Sequence, residues 1–151
     1  MTPYGEQCRE MVKSSLAYYQ LPDTEPAIKL LCMTAAHESG QFRYCRQVKG
    51  PAQGLFQMEP ATYKDVMDYI RKRTERFEIL AEKTGAPSHL MIFDPMFGCA
   101  MARVHYLRVP QAIPGTNNLM GLADYCKKYW NTFRGKATPG DYYKAFLRDF
   151  G

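Results

Sequence analysis

Three features of the sequence predict a mostly α, single-domain fold. Apolar residues recur at helical spacing along most of the chain. Prolines that follow Thr, Asp or Glu mark a series of helix starts. No stretch alternates apolar and polar residues as a half-buried strand would. The 151 residues, 46% apolar and 23% charged, suffice for one real core in a soluble globular chain. With no repeat, low-complexity segment or linker, residues 1–151 read as one domain, of which 1–24 form an N-terminal helix and lead-in.

In chain order, Thr2 and Pro3 cap and start a first helix with Cys8, Met11, Val12, Leu16 and Tyr19 on one face. Pro22 breaks it. Asp23, Thr24, Glu25 and Pro26 supply the acidic first turn and proline start of a second helix. Its apolar face is Ile28, Leu31, Cys32 and Ala35, and Gly40 is its stop. Residues 41–58, with Gly50-Pro51 and Gly54, show neither periodicity and read as a loop. Pro60 opens a helix with Tyr63, Val66, Met67 and Ile70 inward. The charged "RKRTER" run reads as a solvated face or a bend. Asp94-Pro95 starts a helix carrying Phe97, Ala100, Met101, Val104 and Arg108. After the "PGTNN" turn, Asn118 caps a helix bearing Leu119, Leu122, Ala123, Cys126 and Trp130. Thr138-Pro139 starts the last, with Tyr142, Tyr143, Phe146 and Phe150.

Composition narrows the classes of function. The net charge of +5 favours acidic partners such as nucleic acid, membrane headgroups or a carboxylate-bearing cell-wall polymer, without choosing among them. No run is long and apolar enough to span a membrane, so no membrane insertion is expected. The first residues carry charges where a signal peptide needs its apolar stretch, so export by that route is not expected. The five cysteines are widely spaced and lack a C-x-x-C pair, unlike a zinc ribbon or disulfide framework. Cys8, Cys32, Cys99 and Cys126 sit among apolar residues and read as reduced core thiols.

The stretch "TAAHESGQF" raises the question of chemistry. Glu38 lies roughly 20° around the helix from Leu31, toward the edge of the apolar stripe. It also sits at the helix C-terminus, where the dipole is partly negative. Partial burial and that dipole both disfavour the ionised form, so its pKa should be raised. A carboxylic acid protonated near neutral pH suits proton donation to a glycosidic oxygen. The same residue also reads as a solvated helix end, and this stretch alone does not choose.

His37-Glu38 does not make a metalloprotease motif, because H-E-x-x-H needs a second His where Gln41 stands. The three histidines, His37, His89 and His105, are scattered, so no metal site is expected. A G-x-S-x-G elbow and a phosphate-binding glycine loop are absent, and nothing pairs a particular cysteine with a histidine. In "GLFQM", Gly54 permits close backbone approach, Leu55 and Phe56 anchor the loop, and Gln57 presents an amide. An N-acetyl group matches that amide, since it offers a carbonyl and an N–H together.

Glu38-Ser39 at a helix end, followed by "GLFQ" after a loop, resembles the soluble lytic transglycosylase branch of the lysozyme superfamily. "DPMFGCAMARVHYL", ending in Tyr106-Leu107, is similar to the family's D-P helix, and "YWNTFRGKATPGDYYKAF" occupies the place of its Tyr-Asn motif. The resemblance covers residues 25–150 and implies a lysozyme-like helical fold around a saccharide cleft. It implies Glu38 as catalytic acid and then base, Ser39 as a positioning or stabilising residue, and Gln57 with the Gly54-Leu55-Phe56 backbone along the groove. The Tyr-Asn pair falls on Trp130-Asn131, with Tyr129 just before. The family tyrosine hydroxyl, which bonds near the glutamate, is thus missing, to be replaced by the Trp130 N–H or by Tyr129. The family's glycine after the pair is absent too, since Thr132 and Phe133 intervene before Gly135.

The implied activity is cleavage of the β-1,4 bond between N-acetylmuramic acid and N-acetylglucosamine in peptidoglycan, leaving 1,6-anhydro-muramyl ends, with no cofactor. The alternatives are a lysozyme-like hydrolase, marked by a second carboxylate across the cleft, and an inactive structural or virion component. Glu59 and Asp65 are the nearby acids; they read more simply as a helix N-terminal charge and a surface residue. The expected partners are glycan strands and, for delivery, virion or secretion-apparatus proteins; nucleic acid is not expected. A wall-acting chain made in the cytoplasm without a signal peptide fits delivery by a bacteriophage virion or release at lysis.

Overall fold

The structure, a computed structural model, describes residues 1–40, 42, 47, 50–131 and 135–151. Cys45, part of the expected 41–58 loop, and Thr132 and Phe133 lie outside the described residues. The helices are α1 (Pro3–Tyr18), α2 (Glu25–Glu38), α3 (Pro60–Arg71), α4 (Glu78–Ala81), α5 (Leu90–Phe93), α6 (Pro95–Leu107), α7 (Leu119–Cys126) and α8 (Pro139–Phe150). A π-turn, Lys127–Asn131, continues α7. No strand occurs among the described residues, and a lone antiparallel bridge joins Gln53 and Met58.

The helix starts follow from local chemistry. Thr2, Thr24, Asp94, Asn118 and Thr138 each accept a backbone N–H in the first turn of their helix. These bonds satisfy donors that have no partner inside the helix. Proline occupies the first turn of α1, α2, α3, α6 and α8, where its missing N–H is not needed. At α8 the cap is reciprocal, Asp141 accepting in return from the Thr138 N–H at 2.8 Å.

α2 departs from the expected one-sided stripe. Besides Ile28, Leu31, Cys32 and Ala35, it buries Leu30, Met33, Thr34 and Ala36, so every residue from Leu30 to Ala36 lies in the core. α1, α6, α7 and α8 pack around it. α3 packs on α6 with Tyr63, Val66, Met67 and Ile70 inward, as its periodicity predicts. The "RKRTER" segment is an exposed turn after α3, in which Arg73 stacks on the Tyr69 ring. One contiguous apolar core draws on all eight helices. Cys8, Cys32, Cys99 and Cys126 are free and buried within it. No helix of the described residues is long and apolar enough to cross a membrane.

Candidate active site

Glu38 is the last residue of the core helix, and its position follows from how that helix ends. Gly40 takes φ 60°, a left-handed conformation that stops the turn, and its N–H bonds the His37 carbonyl at 3.2 Å. Ser39 is fully buried. Its hydroxyl donates to the Ala35 carbonyl at 2.6 Å and accepts from the Phe42 N–H at 2.6 Å. The hydroxyl proton is therefore committed to the end of α2, and Ser39 holds the helix terminus instead of lining a cavity.

The Glu38 side chain emerges half-buried. Burial pushes its carboxyl up to about 7 from the ordinary 4.5. A hydrogen bond from the Tyr142 hydroxyl on α8 to Oε1, 2.5 Å long, favours the charged form and opposes part of that rise. Burial and the neighbouring carboxyl raise the Tyr142 phenol far above its usual range, so it keeps its proton and acts as a donor. The His37 ring packs on Tyr142 with centroids 4.1 Å apart, and burial lowers the His37 pKa, leaving the imidazole neutral near pH 7.

The "GLFQ" stretch forms a tight turn closed by the Gln53–Met58 bridge, with the Gln57 N–H bonded to the Gly54 carbonyl at 3.1 Å. Gly54 has φ 79°, and a Cβ there would lie 2.6 Å from the Met91 carbonyl oxygen. Phe56 is buried and Leu55 packs against the core, so both anchor the turn from beneath. Gln57 takes φ 53°, and its Nε2 donates to the Gly54 carbonyl at 2.9 Å. One amide N–H is thereby used in the turn, which leaves Oε1 and the second N–H for a ligand.

On another side the π-turn presents Tyr129, Trp130 and Asn131. Wider i→i+5 bonding inserts an extra residue into the turn and re-aims the side chains that follow. His105 on α6 anchors it: Nε2 bonds the Tyr129 carbonyl at 2.8 Å, and Nδ1 pairs with Arg108 Nη2 at 2.8 Å. Arginine can only donate, so Nδ1 accepts and Nε2–H is the donor to the carbonyl. Burial lowers the His105 pKa to about 4, which keeps that tautomer neutral. Trp130 packs against His105 and Tyr106, centroids 4.9 and 5.4 Å away. Tyr106 itself is buried, its hydroxyl 2.8 Å from Thr34 Oγ1 beneath the cleft.

These parts converge on one cavity of about 610 Å³. Its wall includes Glu38, then Ala52, Gln57, Met58, Glu59 and Thr62, then His105, then Tyr129, Trp130 and Asn131, with Gln47 and Gly135. Of the residues singled out from sequence, Glu38, Gln57, Tyr129, Trp130 and Asn131 come together there. Ser39, Gly54, Leu55 and Phe56 support the wall from behind. The hydroxyl that reaches Glu38 belongs to Tyr142, neither to Tyr129 nor to an indole at Trp130.

Tyr142, Thr62 and His105 escaped the sequence reading. Thr62 had a signal: it stands three residues after Glu59, one turn along the same helix face. Glu59 is exposed, makes no side-chain cap bond at the start of α3, and lines the cavity. Asp65 is exposed and is not among the lining residues. Among the described residues no three His, Cys, Asp or Glu side chains cluster as a metal site would require.

The arrangement can hold an extended, polar, amide-bearing ligand between a half-buried acid and aromatic rings. Comparison of the chain with protein-family models, curated proteins and solved structures gives no match.

Proposed function

We propose that this chain cleaves the β-1,4 bond between N-acetylmuramic acid and N-acetylglucosamine in peptidoglycan, as a lytic transglycosylase with Glu38 as its acid and base. The observation that carries this reading is a carboxyl pushed up to about 7 on the wall of a cavity that also bears the Gln57 amide, with Oε1 and one N–H left over, and aromatic rings. Near neutral pH such a group exists in both forms, as a proton donor in one step and an acceptor in the next requires. The first residue pair to suggest the reading, Glu38-Ser39, keeps its carboxyl in the cavity and uses its hydroxyl to fix the helix end.

Glu38 protonates the glycosidic oxygen as the bond to the muramyl C1 breaks. The N-acetyl carbonyl oxygen of the same sugar stabilises the cation at C1. Glu38, now a carboxylate, takes the proton of the C6 hydroxyl, and O6 closes on C1 to give the 1,6-anhydro ring. No water is consumed and the acid is regenerated. Tyr142 donates to Glu38 and steadies its charged form between the two steps. Gln57 Oε1 and its remaining N–H suit the acetamido group of a bound sugar, and Trp130 and Tyr129 offer faces for its apolar side. Delivery to the wall by a bacteriophage virion, or release at lysis, fits this activity.

The test is release of soluble fragments from purified sacculi. Glu38→Gln keeps the shape and removes the proton, so release should fall by roughly 10²–10⁴-fold. Release at the wild-type rate would defeat the assignment.

Glu59 favours a second reading, a lysozyme-like hydrolase. It is a second carboxylate on the same cavity wall, free of any cap bond, where it could activate a water. Under that reading Glu59→Gln stops cleavage as Glu38→Gln does; under the transglycosylase reading it changes binding but leaves the bond-breaking step.

A further inference from the structure

We propose that Lys127 is a positioning residue for the ligand: it fixes the Asn131 amide so that its NH₂ end is the one presented, which makes Asn131 a donor to a carbonyl oxygen of a bound glycan. The proposal rests on the reading of the cavity as a site for N-acetylated sugar. Lys127 and Asn131 stand at the two ends of the π-turn. Lys127 Nζ donates to Asn131 Oδ1 at 2.7 Å and to the Gly135 carbonyl at 2.8 Å. Asn131 and Gly135 line the cavity and Lys127 does not, so the lysine works from behind the wall. The fit is close. A Cβ on Gly135 would stand 2.0 Å from Asn131 Oδ1, 2.5 Å from Cγ and 2.7 Å from Nδ2. The amide lies against a bare Cα, and a side chain at 135 would push it away.

A lysine can only donate, and so can an amide NH₂. Turning the amide over would set two groups of donors against each other, so Lys127 settles an orientation that the shape of the amide leaves open. Oδ1 is spent on the lysine. Nδ2 has no hydrogen-bond partner among the described residues, and it is not buried. It is therefore an open donor on a residue of the cavity wall.

The two amides of the wall thereby differ in what they recognise. Gln57 keeps Oε1 and one N–H, so it can meet both the N–H and the carbonyl of an acetamido group. Asn131 has its oxygen engaged and offers N–H alone, so its partner on the ligand has to be an acceptor. On a neutral N-acetylated glycan the strongest acceptor is the acetamido carbonyl. Without Lys127 the Asn131 amide is free to present its oxygen instead, and that match is lost.

The experiment measures binding without turnover. Trp130 is the single tryptophan of the chain and lies on the cavity wall beside Asn131, so its fluorescence reports occupancy. The titrant is the N-acetylglucosamine trimer, and the parent protein carries Glu38→Gln so that nothing is cleaved. Asn131→Asp is the decisive change, because a carboxylate keeps the size of the amide and its bond to Lys127 but has no proton to give. It should weaken binding by about five- to tenfold. Lys127→Met should weaken it by a similar factor, while Lys127→Arg, which keeps the charge and donors, stays near the parent. Near-ultraviolet circular dichroism reports whether Lys127→Met keeps its packing, and Asn131→Asp, with the clamp intact, decides the matter if it does not. An unchanged dissociation constant in Asn131→Asp or in a folded Lys127→Met overturns the proposal, as does a parent that does not bind the trimer. Release from sacculi by the chain with Glu38 in place judges the wall-cleaving function separately. Binding weakened as expected, in a protein that releases nothing, keeps the positioning role and discards the cleavage.

Discussion

At the scale of single residues, the site is an argument between burial and one hydrogen bond. Burial holds the Glu38 carboxyl near 7, and the Tyr142 hydroxyl keeps it from rising further. Tyr142→Phe deletes that donor and leaves the ring in place. The variant should stay folded, losing about 1–2 kcal/mol, and the alkaline limb of its pH–activity profile should move to higher pH. A profile that stays put would mean that the hydroxyl does not bear on the acid. The raised pKa of Glu38 was legible in the sequence from its place at the edge of an apolar stripe. The identity of its partner was not, because Tyr142 reads there as one more aromatic among Tyr143, Phe146 and Phe150. Only the packing of α8 on α2 brings residues so far apart in the chain within hydrogen-bonding distance. Ser39 shows the converse. Its type suggested a substrate contact, yet an orphan carbonyl and an orphan N–H at the helix end claim its hydroxyl.

Secondary elements divide by how much local chemistry they carry. The starts of α1, α2, α6 and α8 were readable because a cap and a proline fall together in the chain, and that of α7 from its Asn118 cap alone. The four-residue α4 and α5 were not, being too short to show a period. The π-turn was invisible for a different reason. Its extra residue shifts the phase of the helix, and a period of 3.6 carried from Cys126 to Trp130 runs straight through it. That phase shift, fixed by His105 from α6, is what brings Tyr129, Trp130 and Asn131 to the cavity together. The "GLFQ" turn makes the sharpest demand on one position. Gly54→Ala adds a Cβ 2.6 Å from the Met91 carbonyl at φ 79°, so it should cost about 1–3 kcal/mol and misplace Gln57. Urea unfolding measures the first effect and the Michaelis constant for sacculi the second. A variant as stable as wild type would show that the turn yields without strain.

For the whole molecule, the core and the site pull in opposite directions. α2 is buried at every residue from Leu30 to Ala36 and ends on an acid, so the fold stabilises Glu38 when it is neutral. The native pKa, about 7, lies above the ordinary 4.5, so this contribution is complete below 4.5 and is lost as pH rises through 7. Glu38→Gln, which never ionises, should equal wild type in stability near pH 4 and exceed it by about 3 kcal/mol above pH 7. Unfolding curves at both pH values measure the difference; equal stability at both would mean that the carboxyl is solvated after all. The helical class and the one shared core were open to sequence reasoning, since apolar periodicity reports burial. The cleft was not, because it is a gap between α2, the start of α3, α6 and the π-turn, and no segment alone encodes a gap. The most direct measurement of the central claim is the mass of muropeptides released from purified sacculi by the wild-type protein. A single-glutamate transglycosylase yields fragments one water lighter than hydrolysis products. Ordinary reducing ends would contradict that route and assign the second carboxylate's work to Glu59.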